Sequence, residues 1–215
     1  MKLRRILLLA LVSTFAAAAS GCGYNTLVTK QQNVRRSWAD VESRLQRRAD
    51  LVPGLVGAAQ SAGIQEQEVF GQVAEARSRL LNATGAQPQG EGGDMTPDQK
   101  QKVIDAANSF GGTIGRLLSL QESYPQLHSN ELFMKVQDEL AGTENRINVA
   151  REDYNAAVQD YNTARSQFPM VIAARMYGFK EEPYFKAEEG AREAPRIDPN
   201  VMRRNQGGQT NANAK

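Results

Sequence analysis

The chain has 215 residues, 40% of them hydrophobic, with 26 basic and 24 acidic side chains and a net charge of +2. Such a length allows one sizeable domain with its own core. A single histidine and a single cysteine exclude a metal centre built from histidines and an internal disulfide, and the near-balanced charge excludes a broad basic face for nucleic acid.

The N-terminus reads as an export signal over 1–21. Lys2, Arg4 and Arg5 precede the apolar run "ILLLALVSTFAAAA" (6–19), whose 14 residues are short of the roughly 20 that span a bilayer as a helix. "ASGC" then resembles a bacterial lipobox, with Ala19 where a leucine is usual and Cys22 as the residue to be lipidated. The expectation is a membrane-anchored lipoprotein of the cell envelope, facing the periplasm or the cell exterior. Gly23 after the cysteine leaves an outer-membrane destination open. An uncleaved signal-anchor is the alternative. Without the signal's three basic residues the chain carries 23 basic against 24 acidic side chains, a net charge of −1, so the excess of positive charge belongs to the signal.

Four helical segments follow, and the expected fold is an all-α bundle of three to four long antiparallel helices over 22–190. In the first, Val34, Trp38, Val41, Leu45, Val52, Leu55 and Ala59 recur at steps of three, four or seven. Pro53 with Gly54 predicts a kink or a break there, because proline lacks a backbone donor and crowds the preceding turn. The second carries Val69, Val73, Ala76 and Leu80 and ends in the Gly/Pro-rich loop 82–95. The third opens on Thr96, Pro97 and Gln99, a capping box with proline at the first helical position. It runs through Val103, Ala107, Phe110, Ile114, Leu117 and Gln121, weakened at Gly111-Gly112 and closed by Tyr124-Pro125.

The fourth is the longest. Phe133, Val136, Leu140, Thr143, Ile147, Ala150, Tyr154, Ala157, Tyr161, Ala164 and Phe168 alternate steps of three and four up to Pro169, a coiled-coil-like stripe that requires partner helices. A short helix in "MVIAARMYGF" ends near Gly178, Tyr184 and Phe185 pack back on the bundle, and 191–215 forms a disordered polar tail.

Within the fourth segment "DYNAAVQDYN" places Tyr154-Asn155 and Tyr161-Asn162 seven residues apart, two helical turns. Both tyrosines belong to the stripe, so the pairs read mainly as a seam, with Asn155 and Asn162 setting alignment between helices. A groove for a small ligand or cell-wall fragment, lined by the same four residues, is the sharper alternative. A second polar set, Arg47, Arg48 and Asp50 before Pro53 and Glu144, Asn145 and Arg146 in the fourth segment, predicts an Arg–carboxylate network serving backbone groups freed at the proline.

Catalytic arrangements are missing from the sequence. It has no HExxH, CxxC, GxSxG or SxxK, and "GEGG" (90–93) lacks the context of a phosphate loop. His128 reads as an exposed turn residue, and Glu181-Glu182 and Glu188-Glu189 as solvated charge. No metal or cofactor is called for.

The blocks "YNTLV", "SWADVESRLQRRADLVPGLV", "YPQL", "ELAGTENRINVAREDYNAAVQDYNTARSQFP" and "GFKEEPYF" strongly resemble the LemA family of bacterial envelope proteins, in family order from Tyr24 to about Phe185. The resemblance implies an all-α bundle with no catalytic residues to carry over. It also implies an envelope partner, a membrane metalloprotease or a TPM-domain protein. Two features depart from the family pattern: the lipobox-like Cys22 in place of a membrane-spanning segment, and the enlarged stretch 85–97. Together these readings describe a non-enzymatic, lipid-anchored scaffold or adaptor for another envelope protein.

Overall fold

The computed structural model describes residues 2–85 and 95–186, with side chains from Gly23 onward. The polar tail 191–215, "GEGG" and Glu188-Glu189 lie outside the described residues. Among the described residues five α-helices follow one another: α1 (Lys2–Ser61), α2 (Gln67–Ala83), α3 (Pro97–Ser123), α4 (Glu131–Ser166) and α5 (Met170–Tyr177), with a 3₁₀ turn over Pro125–Ser129 before α4. There is no strand among the described residues, as the unbroken 3.6-residue periodicities predict. None of these helices is long and apolar enough to cross a membrane.

The helix boundaries follow local chemistry. Thr96 caps α3 through its side chain while Gln99 reaches back to the Thr96 N–H at 2.8 Å, completing the box read from the sequence. Gly111-Gly112 does not interrupt α3. Asn130 caps α4 by accepting from the Phe133 N–H at 2.9 Å. His128 sits exposed in the 3₁₀ turn.

The core is built from the predicted stripes. Val34, Trp38, Val41, Leu45, Val52, Leu55 and Ala59 of α1 are buried together with Phe133, Leu140, Ile147, Ala150, Tyr154 and Tyr161 of α4. Across this main seam Lys30 meets Asp160 and Arg48 meets Glu144, so numbers rise along one helix as they fall along the other. α2 and α3 contribute Phe70, Val73, Ala76, Leu80, Val103, Ala107, Phe110 and Leu117 to the same core.

Three expectations need correction. First, of the kink or break expected at Pro53 the break is not seen, the proline lying inside one helix that ends at Ser61. Its interior position leaves the carbonyl of Ala49, four residues earlier, without its helical donor. Arg77 of α2 supplies one, Nε donating to Ala49 O at 2.7 Å. Second, Val158 rather than Ala157 is buried on α4, because a strict seven-residue pattern drifts about 20° per heptad against a helix of 3.6 residues per turn. Third, Phe168 is 80% exposed and lies beyond the end of α4. Pro169 disfavours helical backbone at the residue before it, so the stripe ends sooner than its spacing suggests.

Candidate functional site

After α5, Gly178 adopts a left-handed φ of 72° and caps the helix, its N–H bonded to the carbonyl of Ala174. The chain then turns back and passes along α4 as a segment without regular structure, residues 179–186. The two Tyr-Asn pairs hold that segment.

Asn162 pairs with both backbone groups of Glu182. Its Nδ2 donates to Glu182 O at 2.9 Å, and its Oδ1 accepts from Glu182 N at 3.1 Å. Asn155 repeats the arrangement one heptad earlier, donating to Phe185 O at 2.9 Å and accepting from Phe185 N at 2.8 Å. The hydroxyl of Tyr154 donates to Pro183 O and that of Tyr161 to Lys180 O, each at 2.8 Å. Seven residues of α-helix rise about 10.5 Å. Three residues of extended chain cover about 10 Å. The asparagines grip residues three apart (182 and 185), and so do the tyrosines (180 and 183), so the heptad repeat of α4 is commensurate with an extended strap running the opposite way.

The strap's side chains complete the fit. Glu182, expected as solvated charge, is instead buried in an ion pair with Lys100 of α3 at 2.8 Å, the two side chains only 6% and 3% exposed. The Lys100 ammonium also lies 5.8 Å from the Trp38 ring, and Trp38 packs on Tyr154 with ring centroids 5.1 Å apart. Through Glu182 the strap therefore joins α3 to α4 over the Trp38 face of α1. Phe185 is buried beneath the Arg151 guanidinium, 4.2 Å from the ring centre, and Glu181 pairs with Arg165 at 3.0 Å. Tyr184 points outward.

Electrostatics keep the clamp in its donating form. Burial, with a smaller contribution from the Glu182 charge, pushes the Tyr161 phenol up to about 12 and raises that of Tyr154 further. Both hydroxyls remain neutral donors at any ordinary pH. Burial likewise raises the Glu42 carboxyl, opposed by the Trp38 indole and the Lys100 charge.

The second polar set is assembled differently from its sequence pattern. Arg48, buried against Phe110, lies 2.9 Å from Glu144, and burial pushes its guanidinium down while the Glu144 charge opposes that shift. Arg47 pairs instead with Glu139, and Asp50 with Arg77 of α2 at 3.6 Å. Asn145 and Arg146 are exposed on α4, away from the seam. The carbonyl at the proline is thus served by Arg77, a residue that sequence reasoning did not single out. It also missed Lys100 and the backbone of 180–185. The strap left no signal, because the asparagines grip main chain and not the side chains of Glu182 and Phe185. For Arg77 there was none either, because nothing in α2 marks which carbonyl it will meet.

A shallow cavity of about 270 Å³ lies between α1 and α4, lined by Lys30, Asn33, Ala156, Ala157 and Asp160. None of the four Tyr-Asn side chains borders it. No group of three or more metal-ligating side chains comes together among the described residues. What the Tyr-Asn face does chemically is recognise main chain, satisfying donors and acceptors of an extended segment that has no helix or sheet of its own.

The model of the LemA family matches residues 37–198. Magnetosome proteins MamQ 1 and MamQ 2 of Paramagnetospirillum magneticum are each 28% identical over 191 residues, covering 83% of this chain and 70% of theirs. Magnetosome protein MamQ of Magnetospirillum gryphiswaldense matches over the same extent at the same identity.

Proposed function

The chain belongs to the LemA family, and from that premise we propose that it is a lipid-anchored, non-enzymatic envelope protein whose helical bundle serves as a scaffold for another envelope protein. The observation that carries this reading is the strap. The most distinctive polar face of the molecule is engaged in fixing its own chain, which yields a rigid bundle with long exposed helix faces. The ligand-groove reading of Tyr154, Asn155, Tyr161 and Asn162 would need those same atoms. Relatives named for the magnetosome support a membrane-related location. Cys22, two residues before Tyr24 on α1, provides the point of attachment. Two acyl signals there anchor stably where one chain is marginal.

Metabolic labelling with an alkynyl fatty acid, followed by crosslinking in cells, tests both parts. The expected result is label on the wild-type chain, none on Cys22→Ala, and one dominant envelope protein crosslinked only by the anchored form. A chain that stays membrane-bound and unlabelled would overturn lipidation. An anchored chain with no envelope partner at any exposed face of α4 would overturn the scaffold role.

A further inference from the structure

The end of the bundle where α1 departs toward its N-terminus carries most of the large hydrophobic side chains exposed among the described residues. Lys30 stands opposite Asp160, so Ser166, six residues further along α4, lies level with Tyr24, six residues back along α1. α5 begins there. A Cβ on Gly23 would lie 3.6 Å from Met170 Cγ and 3.8 Å from Ala173 Cβ, and the Tyr24 ring meets Tyr177 at 4.8 Å and Phe179 at 5.8 Å. Of the eight large hydrophobic side chains exposed among the described residues, five gather at this corner: Tyr24, Phe168, Ile172, Met176 and Tyr177. Ile172 and Met176 sit one turn apart on the face of α5 opposite its buried Ala173-Ala174, with Arg175 exposed beside them.

Axial distance indicates what meets that corner. The apolar run 6–19 ends five residues before Tyr24 on the same continuous helix, about 7.5 Å at 1.5 Å per residue. The polar layer of one bilayer leaflet is roughly 5–7 Å thick, taking the difference between total and hydrocarbon thickness. We infer that the α5 corner is a membrane-docking surface, with Phe168, Ile172, Met176 and Tyr177 seated in the headgroup layer of the bilayer that holds the N-terminus. This rests on the anchoring reading above: a retained apolar run ends about 7.5 Å from Tyr24, and acyl chains on Cys22 would start only about 3 Å from it, two residues away. Tyrosines at this depth keep a ring in the apolar region and a hydroxyl in water, and Arg175 reaches outward to lipid phosphate. The bundle is thereby held at a fixed tilt rather than swinging on a tether.

The test uses the full chain in phosphatidylethanolamine/phosphatidylglycerol vesicles doped with a diazirine-bearing lipid, read by flotation and by mapping of labelled peptides. Floating protein labelled within 168–177 is the expected result. The Ile172→Ser/Met176→Ser double variant should lose that label while still floating and keeping the wild-type Tm. Floating protein labelled only at Cys22 or at residues before it would overturn the docking surface and leave anchoring intact. Protein that does not float would overturn anchoring, and docking with it. Crosslinks from 168–177 to a second copy of the chain instead of lipid would also overturn the inference.

Discussion

Two regions of the bundle solve the same problem with different side chains. Along α4 the backbone to be satisfied is an extended strap, which offers an N–H and a C=O at Glu182 and at Phe185; the side chain that meets each is asparagine, donor and acceptor at once. At Pro53 a helix has lost one donor, so a single carbonyl is left over; the side chain that meets it is arginine, which only donates. The side chain matches what the backbone lacks. The strap needs repetition because each asparagine holds only one residue, whereas the proline needs one contact, steadied by Asp50.

The contrast can be broken at its most costly point first. Tyr154→Ala removes a fully buried ring from the seam and the hydroxyl from Pro183 O, and should destabilise the fold by about 3–5 kcal/mol in urea unfolding. A loss under about 1 kcal/mol would mean that the ring is not part of the core.

Asn162→Ala leaves the Glu182 N–H and C=O without their partner and should cost about 1–3 kcal/mol, the lower end applying if water enters. Its signature is local. Hydrogen exchange should accelerate at Glu182 and Phe185 while the amides of α1 keep their protection. Uniform acceleration would show that strap and bundle open together.

The smallest effect sharpens the other side. Arg77→Ala should cost about 1–2 kcal/mol, discounted because the arginine is a third exposed. In a Pro53→Ala background, where the helix regains its own donor to Ala49 O, the same substitution should cost under about 0.5 kcal/mol. A double-mutant cycle with no coupling would separate Arg77 from the proline.

Much of this was legible beforehand. The stripes of α1 and α4, the Thr96 capping box and the Tyr124-Pro125 stop were readable because each depends on neighbours within a few residues. The Tyr-Asn repeat was recognised as a seam, but its partner was taken to be another helix. The partner is the backbone of the chain's own end, and backbone leaves no mark in a sequence. The heptad stripe failed at Ala157 and Phe168, where small angular drift and a following proline intervened, and Val136 is only partly buried.

The sequence by itself determined the helices and their buried faces, since helical periodicity is a local property fixed by which side chains recur every three or four residues. Tertiary structure alone decided which polar groups meet: Asn162 with Glu182, Lys100 with Glu182, Arg77 with Ala49 O. Each of those contacts joins residues 20 to 82 positions apart. A hydrogen bond requires an orientation as well as a partner, and that orientation exists only once the helices have packed.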